Sequence, residues 1–241
     1  MSAQQNIDTL GNKWLAALSA KDFGLLEPHL SDVEFERGVT LHDAGEDVGQ
    51  VYFPTEGVVS LMTILRGGAS VETAAIGREG LVGVTCGPMN GRAVSRAVAQ
   101  TDGAAYCVDI SRFTAALHES ADMRHALACY TESLFAQVQQ TAACNALHKL
   151  ESRFARWLLT FQDRADTQSF ELTQEQLADM LGVRRATVSE VSAALEERGL
   201  IRRSRGRIEI ADRRGLEGAA CECYRTIRTV TQALMDLPRK P

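Results

Sequence analysis

The sequence predicts an α+β chain made of an all-β N-terminal unit, one long helix and a C-terminal winged helix-turn-helix. Three observations carry this prediction. Between Val33 and Ile110, glycines punctuate short runs of β-branched and aromatic residues. From about Ala121 to Leu150 glycine and proline are absent and helix formers dominate. From Thr173 to Ile210 a capped helix, a glycine turn, a second helix and a basic hairpin follow one another. These shifts divide the chain into residues 1–120, 121–150 and 151–241.

The β unit contains runs such as Val51-Tyr52-Phe53, Val58 to Leu65 and Ala104 to Val108. Turn residues recur about every eight to twelve positions, the mark of a barrel or sandwich. Gly67-Gly68 suits a tight hairpin, because glycine reaches positive φ at little cost.

In the long helix, Leu127, Leu134, Thr141 and His148 fall seven apart, with Val138 and Asn145 between. Such a seam, partly polar, suits two helices packed on each other in a dimer. The alternative is an amphipathic helix lying on its own β unit. A second helix, Glu151 to Asp163, sets Phe154, Trp157, Leu158 and Phe161 on one face.

Thr173 then stands three residues before Gln176, the spacing of a capping box. Leu177, Ala178 and Leu181 form an inner face, and Gly182 sits where a left-handed residue ends the helix. The next helix runs from about Arg185 to Glu197, with Val188, Val191, Ala194 and Leu195 turned inward. Its outer face is read as Arg184, Arg185, Thr187, Ser189, Glu190 and Ser192, groups able to reach base edges and phosphates in a major groove. Arg202, Arg203, Arg205 and Arg207 follow around Gly206, between two apolar strand ends. After a helix-turn-helix, such a basic tip faces phosphates and adds salt-dependent affinity.

Composition agrees. The net charge of −5 divides into −7 over residues 1–150 and +2 over 151–241, as a separate nucleic-acid module would give. No apolar run is long enough for a membrane helix, and the first residues show no secretion signal, so a cytoplasmic protein is expected. Cys86, Cys107, Cys129 and Cys144 are scattered and Cys221 and Cys223 form a lone C-x-C, so no metal site and no disulfide framework is expected. No nucleophile elbow or phosphate-binding loop points to an enzyme.

The stretch LTQEQLADMLGVRRATVSEVSAALEERGLI with its basic hairpin closely resembles the DNA-binding domain of the Crp/Fnr regulators. VYFPTEGVVSLMTIL, GREGLVGV and AYCVDISRF resemble that family's cyclic-nucleotide-binding-type β-roll, of the double-stranded jelly-roll type, and the helix from Ala121 resembles its dimerisation helix. The resemblance implies a homodimer on a two-fold-symmetric site in double-stranded DNA, with RNA polymerase as a protein partner. It places Arg185 at the family's guanine-reading arginine, and Thr173 and Thr187 at positions that touch phosphate. Ala186 and Glu190 depart from the catabolite-activator branch, which has a glutamate and a second base-reading arginine there, and so imply a different half-site.

For the sensor, the candidate effector pocket is Arg78, Glu79, Ser95 and Arg96. Cyclic-nucleotide members hold the cyclic phosphate with an Arg-Ser pair, and here the order is reversed. On a strand, a one-residue inversion sends the arginine to the other face, which speaks against cyclic AMP. An iron–sulfur cluster needs four ligands, and the oxygen-sensing branch places most near the N-terminus. This chain has no cysteine before Cys86, which speaks against that cofactor too. His118, His125 and His148 read as surface or seam residues rather than haem ligands. The effector stays open, and a ligand sensor acting through protein partners is the competing reading.

Overall fold

The computed structural model describes residues 10–84, 91–165, 167 and 169–235; Cys86, Asn90 and the tail beyond Met235, where the sequence predicts helix as far as Leu237, lie outside them. The described residues begin with two short helices, α1 (Lys13–Ala16) and α2 (Ala20–Phe23), capped by the side chains of Asn12 and Ser19. Among the described residues seven strands follow: β1 (Ser31–Phe35), β2 (Thr40–His42), β3 (Gln50–Pro54), β4 (Val59–Ile64), β5 (Ser70–Ile76), β6 (Arg96–Ala99) and β7 (Gly103–Asp109). They form two antiparallel sheets, ordered β1-β7-β3 and β2-β6-β4-β5. The β4–β5 hairpin turns at Gly67-Gly68 as expected, with Gly68 at φ 85°.

Phe35, Val59, Leu61, Ile76 and four alanines from β5, β6 and β7 fill the space between the sheets. On the outer side of β3, Trp14 stacks on Phe53 at 5.7 Å, and Phe113 meets both rings at 6.0 Å. Phe113 belongs to α3 (Ile110–Glu119), which leads through the capping serine Ser120 into α4 (Ala121–Leu147).

The face that α4 buries differs from the dimer seam expected of it. Leu134 and Thr141 are buried within the chain, and Leu127 and His148 are half-buried. They pack toward the β unit and the C-terminal domain, so the alternative reading describes these positions. The exposed stripe is instead His125, Ala128, Glu132, Phe135, Gln139, Ala142 and Ala146, at alternating spacings of three and four. The helix carries two stripes of similar period, and only the tertiary contacts of α4 with the C-terminal helix Cys223–Met235, β5 and α3 decide which is covered.

The C-terminal domain begins with α5 (Leu150–Ala165) and continues through β8 (Ser169–Glu171), α6 (Gln174–Leu181) and α7 (Arg185–Glu197). The hairpin β9 (Ile201–Ser204) and β10 (Arg207–Ile210) comes next, then α8 (Arg213–Ala219) and α9 (Cys223–Met235). β8 pairs with β10 and completes a three-stranded wing sheet. The core of this domain, from Phe154 and Phe161 to Leu195 and Leu216, is continuous with Val58, Met62 and Ala75 of the β unit.

Polar groups cross the same boundary. Arg164 of α5 donates to Glu79 at 2.7 Å and to Gln137 of α4 at 3.0 Å. Gln137 in turn accepts from and donates to the backbone of Ala75. Buried Glu72 on β5 accepts from Ser60 and, at 2.9 Å, from the Trp157 indole of α5. The two halves are therefore bonded together through shared apolar burial and a satisfied polar network.

Candidate nucleic-acid interface

The helix-turn-helix forms where its capping chemistry directs it. The Thr173 hydroxyl accepts from the Gln176 amide at 3.2 Å, and Gln176 Oε1 accepts from the Thr173 amide at 2.9 Å. Gly182 ends α6 at φ 64°. Ser189 of α7 donates to Gln174 Oε1 at 2.7 Å, which pins the second helix to the start of the first.

Arg184, Arg185, Ala186 and Glu190 are exposed, with Thr187 and Ser189 half-exposed beside them. No side chain caps α7, so its first N–H groups remain available to an anion. Neither Arg184 nor Arg185 has an ion-pair partner among the described residues. A bare helix start carrying two adjacent guanidinium groups is suited to phosphate and guanine.

Two sequence expectations need correction. Ser192 lies on the inner face, at 1% exposure, between Val188 and Leu195. Positions 188, 192 and 195 follow the helical period, so a residue that looked polar enough for the surface is carried inward. Arg203 does not sit free at the wing tip. It is half-buried and paired with Glu196 of α7 at 2.7 Å, and its own amide also donates to Glu196 at 2.8 Å. This lowers the Glu196 carboxyl from its usual range. Arg203 fastens the wing to α7.

The other wing arginines divide similarly. Arg202 is exposed and pairs across the hairpin with Glu209 at 3.2 Å, and Arg207 donates to Ser169. Arg205, at the tip beside Gly206 (φ 71°), is exposed without an ion-pair partner among the described residues.

The candidate effector residues are engaged within the chain. Glu79 is committed to Arg164 with both side chains almost fully buried. Arg96 pairs with Asp43 at 2.5 Å, and that guanidinium holds the Asp43 carboxyl below its usual range. Ser95, just before β6, is buried, while Arg96, the first residue of that strand, is half-exposed. Arg78 contributes its carbonyl to the Lys13 amide at 2.7 Å. The structure thus uses Glu79 and Arg96 in two separate ion pairs.

Sequence spacing points to no metal site, yet the fold gathers Cys144, His148, Cys221 and Cys223, with all ligand atoms within 4.8 Å of one another. The missed signal was Cys144 and His148 four apart at the end of a helix, combined with the distant C-x-C. Hydrogen bonding with Cys221 at 3.5 Å holds the Cys144 thiol below its usual range, while the same contact pushes the Cys221 thiol up.

Comparison with known proteins follows the same division of the chain. Residues 32–120 match the cyclic nucleotide-binding domain family, and residues 152–219 match the Crp-like helix-turn-helix domain family. The two matches together take in well over half of the sequence. The chain belongs to the Crp/Fnr family of transcriptional regulators. Among solved structures it is similar to FixK2 from Bradyrhizobium japonicum, with 18% identity, 80% and 98% of the two chains covered and a TM-score of 0.68. A CRP-family regulator from Thermus thermophilus gives 24% identity, 79% and 99% coverage and a TM-score of 0.66. The c-di-GMP-responsive regulator CLP from Xanthomonas campestris gives 14% identity, 80% and 100% coverage and a TM-score of 0.66. At such identities these likenesses establish the shared fold. No curated protein matches the chain by sequence. No helix among the described residues is long and apolar enough to cross a membrane.

Proposed function

We propose that this Crp/Fnr regulator acts as a homodimer, in the cytoplasm and with RNA polymerase as a protein partner, on a two-fold-symmetric site in double-stranded DNA. Each subunit would present the start of α7 to one major groove. The observation that carries the reading is the exposed Arg184-Arg185 pair at an uncapped helix start, flanked by the arginine-bearing wing. Arg185 reads a base, with Glu190 and Ser189 beside it setting a half-site different from that of the catabolite-activator branch. Thr173, Thr187, Arg184, Arg202 and Arg205 lie against the backbone. The dimer forms along the exposed α4 stripe centred on Phe135, which is 61% exposed in the single chain.

Cyclic AMP is not proposed as the effector, because Arg96 is already neutralised by Asp43. Adding cyclic AMP is expected to leave the thermal midpoint unchanged.

The deciding experiment is a titration of DNA from the promoter of its own gene, with competitor DNA, over a series of salt concentrations. Arg185→Ala should lose about 1–3 kcal/mol of discrimination against the wrong base. Arg205→Ala should weaken all sequences alike and lower the salt slope by roughly one. A dimer without sequence preference, both there and in a genomic selection, would overturn the proposal.

A further inference from the structure

The Cys144, His148, Cys221 and Cys223 cluster includes none of the residues proposed to contact DNA, and it joins segments far apart in sequence. Cys144 lies in the last turn of α4, and His148 caps that helix in an extended conformation. Cys221 precedes α9, and Cys223 is its first residue. Cys144 and Cys223 are fully buried, whereas Cys221 and His148 are half-exposed, so an ion can reach the cluster from solvent.

Two of the spacings match the edges of a four-coordinate site, and all four ligand atoms lie within 4.8 Å of one another. An ion about 2.3 Å from sulfur and about 2.0–2.1 Å from imidazole nitrogen sets tetrahedral edges of roughly 3.4–3.8 Å. Here Cys144 Sγ lies 3.5 Å from Cys221 Sγ, and Cys223 Sγ lies 3.4 Å from His148 Nδ1. The surroundings are those of a supported metal site. Glu222 Oε1 lies 3.3 Å from His148 Nε2, the carboxylate–histidine arrangement that fixes the ring and raises its basicity. Gln140 Nε2 donates to Cys223 Sγ at 3.0 Å. The buried guanidinium of Arg156 acts electrostatically on Cys144 and balances the excess negative charge of three thiolates.

We propose that Cys144, His148, Cys221 and Cys223 bind one tetrahedral, thiolate-preferring divalent ion per chain, with zinc the ion whose geometry and ligand preference fit. The three sulfurs bind as thiolates, and any proton a thiol still carries is released to solvent, with no change of oxidation state. It fastens α9 to the end of α4, beside the short link through Lys149 to the DNA-binding domain.

The test uses the full-length, tag-free protein purified under reducing conditions, and it involves no DNA, so its result is independent of the proposal above. Elemental analysis after dialysis against added zinc should give about one ion per chain, and zinc should raise the thermal midpoint by roughly 5 °C or more. Cobalt(II) titrated into metal-free protein should give the intense visible bands of tetrahedral thiolate coordination. Cys221→Ser, at a half-exposed position, should keep its circular dichroism spectrum and weaken the ion at least tenfold. Cys129→Ser, outside the cluster, should bind like the parent.

A reduced wild-type protein that takes up no stoichiometric zinc overturns the proposal. So does the pale spectrum of six-coordinate cobalt, or equal retention by the Cys221→Ser/Cys223→Ser double variant. Isolation with a Cys144–Cys221 disulfide that, once reduced, still refuses zinc overturns it as well and assigns the pair to redox chemistry instead.

Discussion

At the scale of single residues, the arginines of the C-terminal domain do different work according to their neighbours. Arg185 and Arg205 are exposed without ion-pair partners among the described residues, while Arg203 is held by Glu196. A guanidinium already satisfied within the chain has little to offer a phosphate, but it can hold a wing in place. Arg203→Ala and Glu196→Ala should therefore weaken DNA binding to similar extents, and the double variant should be no worse than either. Two residues acting through one shared contact are not additive. Independent, additive losses in a binding titration would show that Arg203 contacts DNA directly. Ser192 shows the reverse error of reading polarity alone. Its hydroxyl is buried without a hydrogen-bond partner among the described residues, so the helical period took precedence over the side chain's preference.

At the scale of elements, two features are open to substitution. Gly182 ends α6 in the left-handed region, and a Cβ there would also sit 3.3 Å from Val71 of the β4–β5 hairpin. Gly199 has a similar φ of 70° but open space around it. Each replacement by alanine should cost about 1 kcal/mol for the left-handed backbone alone. Gly182→Ala should cost more than Gly199→Ala, and the difference in chemical unfolding measures the contact between α6 and the β unit. Equal losses would mean that Val71 moves aside freely. The exposed stripe of α4 supplies the second test. Phe135→Glu should leave the chain folded, since the side chain is exposed in the single chain, but convert the dimer to a monomer by sedimentation.

At the scale of the whole molecule, the β unit and the DNA-binding domain share one buried polar network. Glu79 with Arg164 forms one part, and Glu72 with Ser60 and Trp157 forms another. Burial pushes the Glu72 carboxyl above the usual carboxylate range. In the folded chain Glu72 therefore keeps a proton that the unfolded chain has already released. Its contribution to stability is full below the ordinary carboxylate value and is lost as pH rises through the folded value. Carboxylates with lowered values, such as Asp43, give the opposite slope, so the informative quantity is a difference between two proteins. Relative to Glu72→Gln, the wild type should lose stability as pH rises from about 4, read from urea midpoints. A constant difference across that range would refute the assignment.

The sequence by itself determined the modular order, the capping box at Thr173, the helix from Arg185 to Glu197 and the glycine-turned hairpins. Each of these depends on residues within one or two turns of each other, where periodicity, capping and positive φ act directly. What lay beyond it was every decision made between distant segments. Only tertiary packing determined which stripe of α4 is covered, turned Arg203 from a phosphate ligand into a clamp, and committed Glu79 and Arg96 to separate ion pairs. It also brought Cys144 and His148 to Cys221 and Cys223, across more than seventy residues of chain. Such contacts depend on loop closure and shared burial rather than on local spacing, so no window along the sequence contains them.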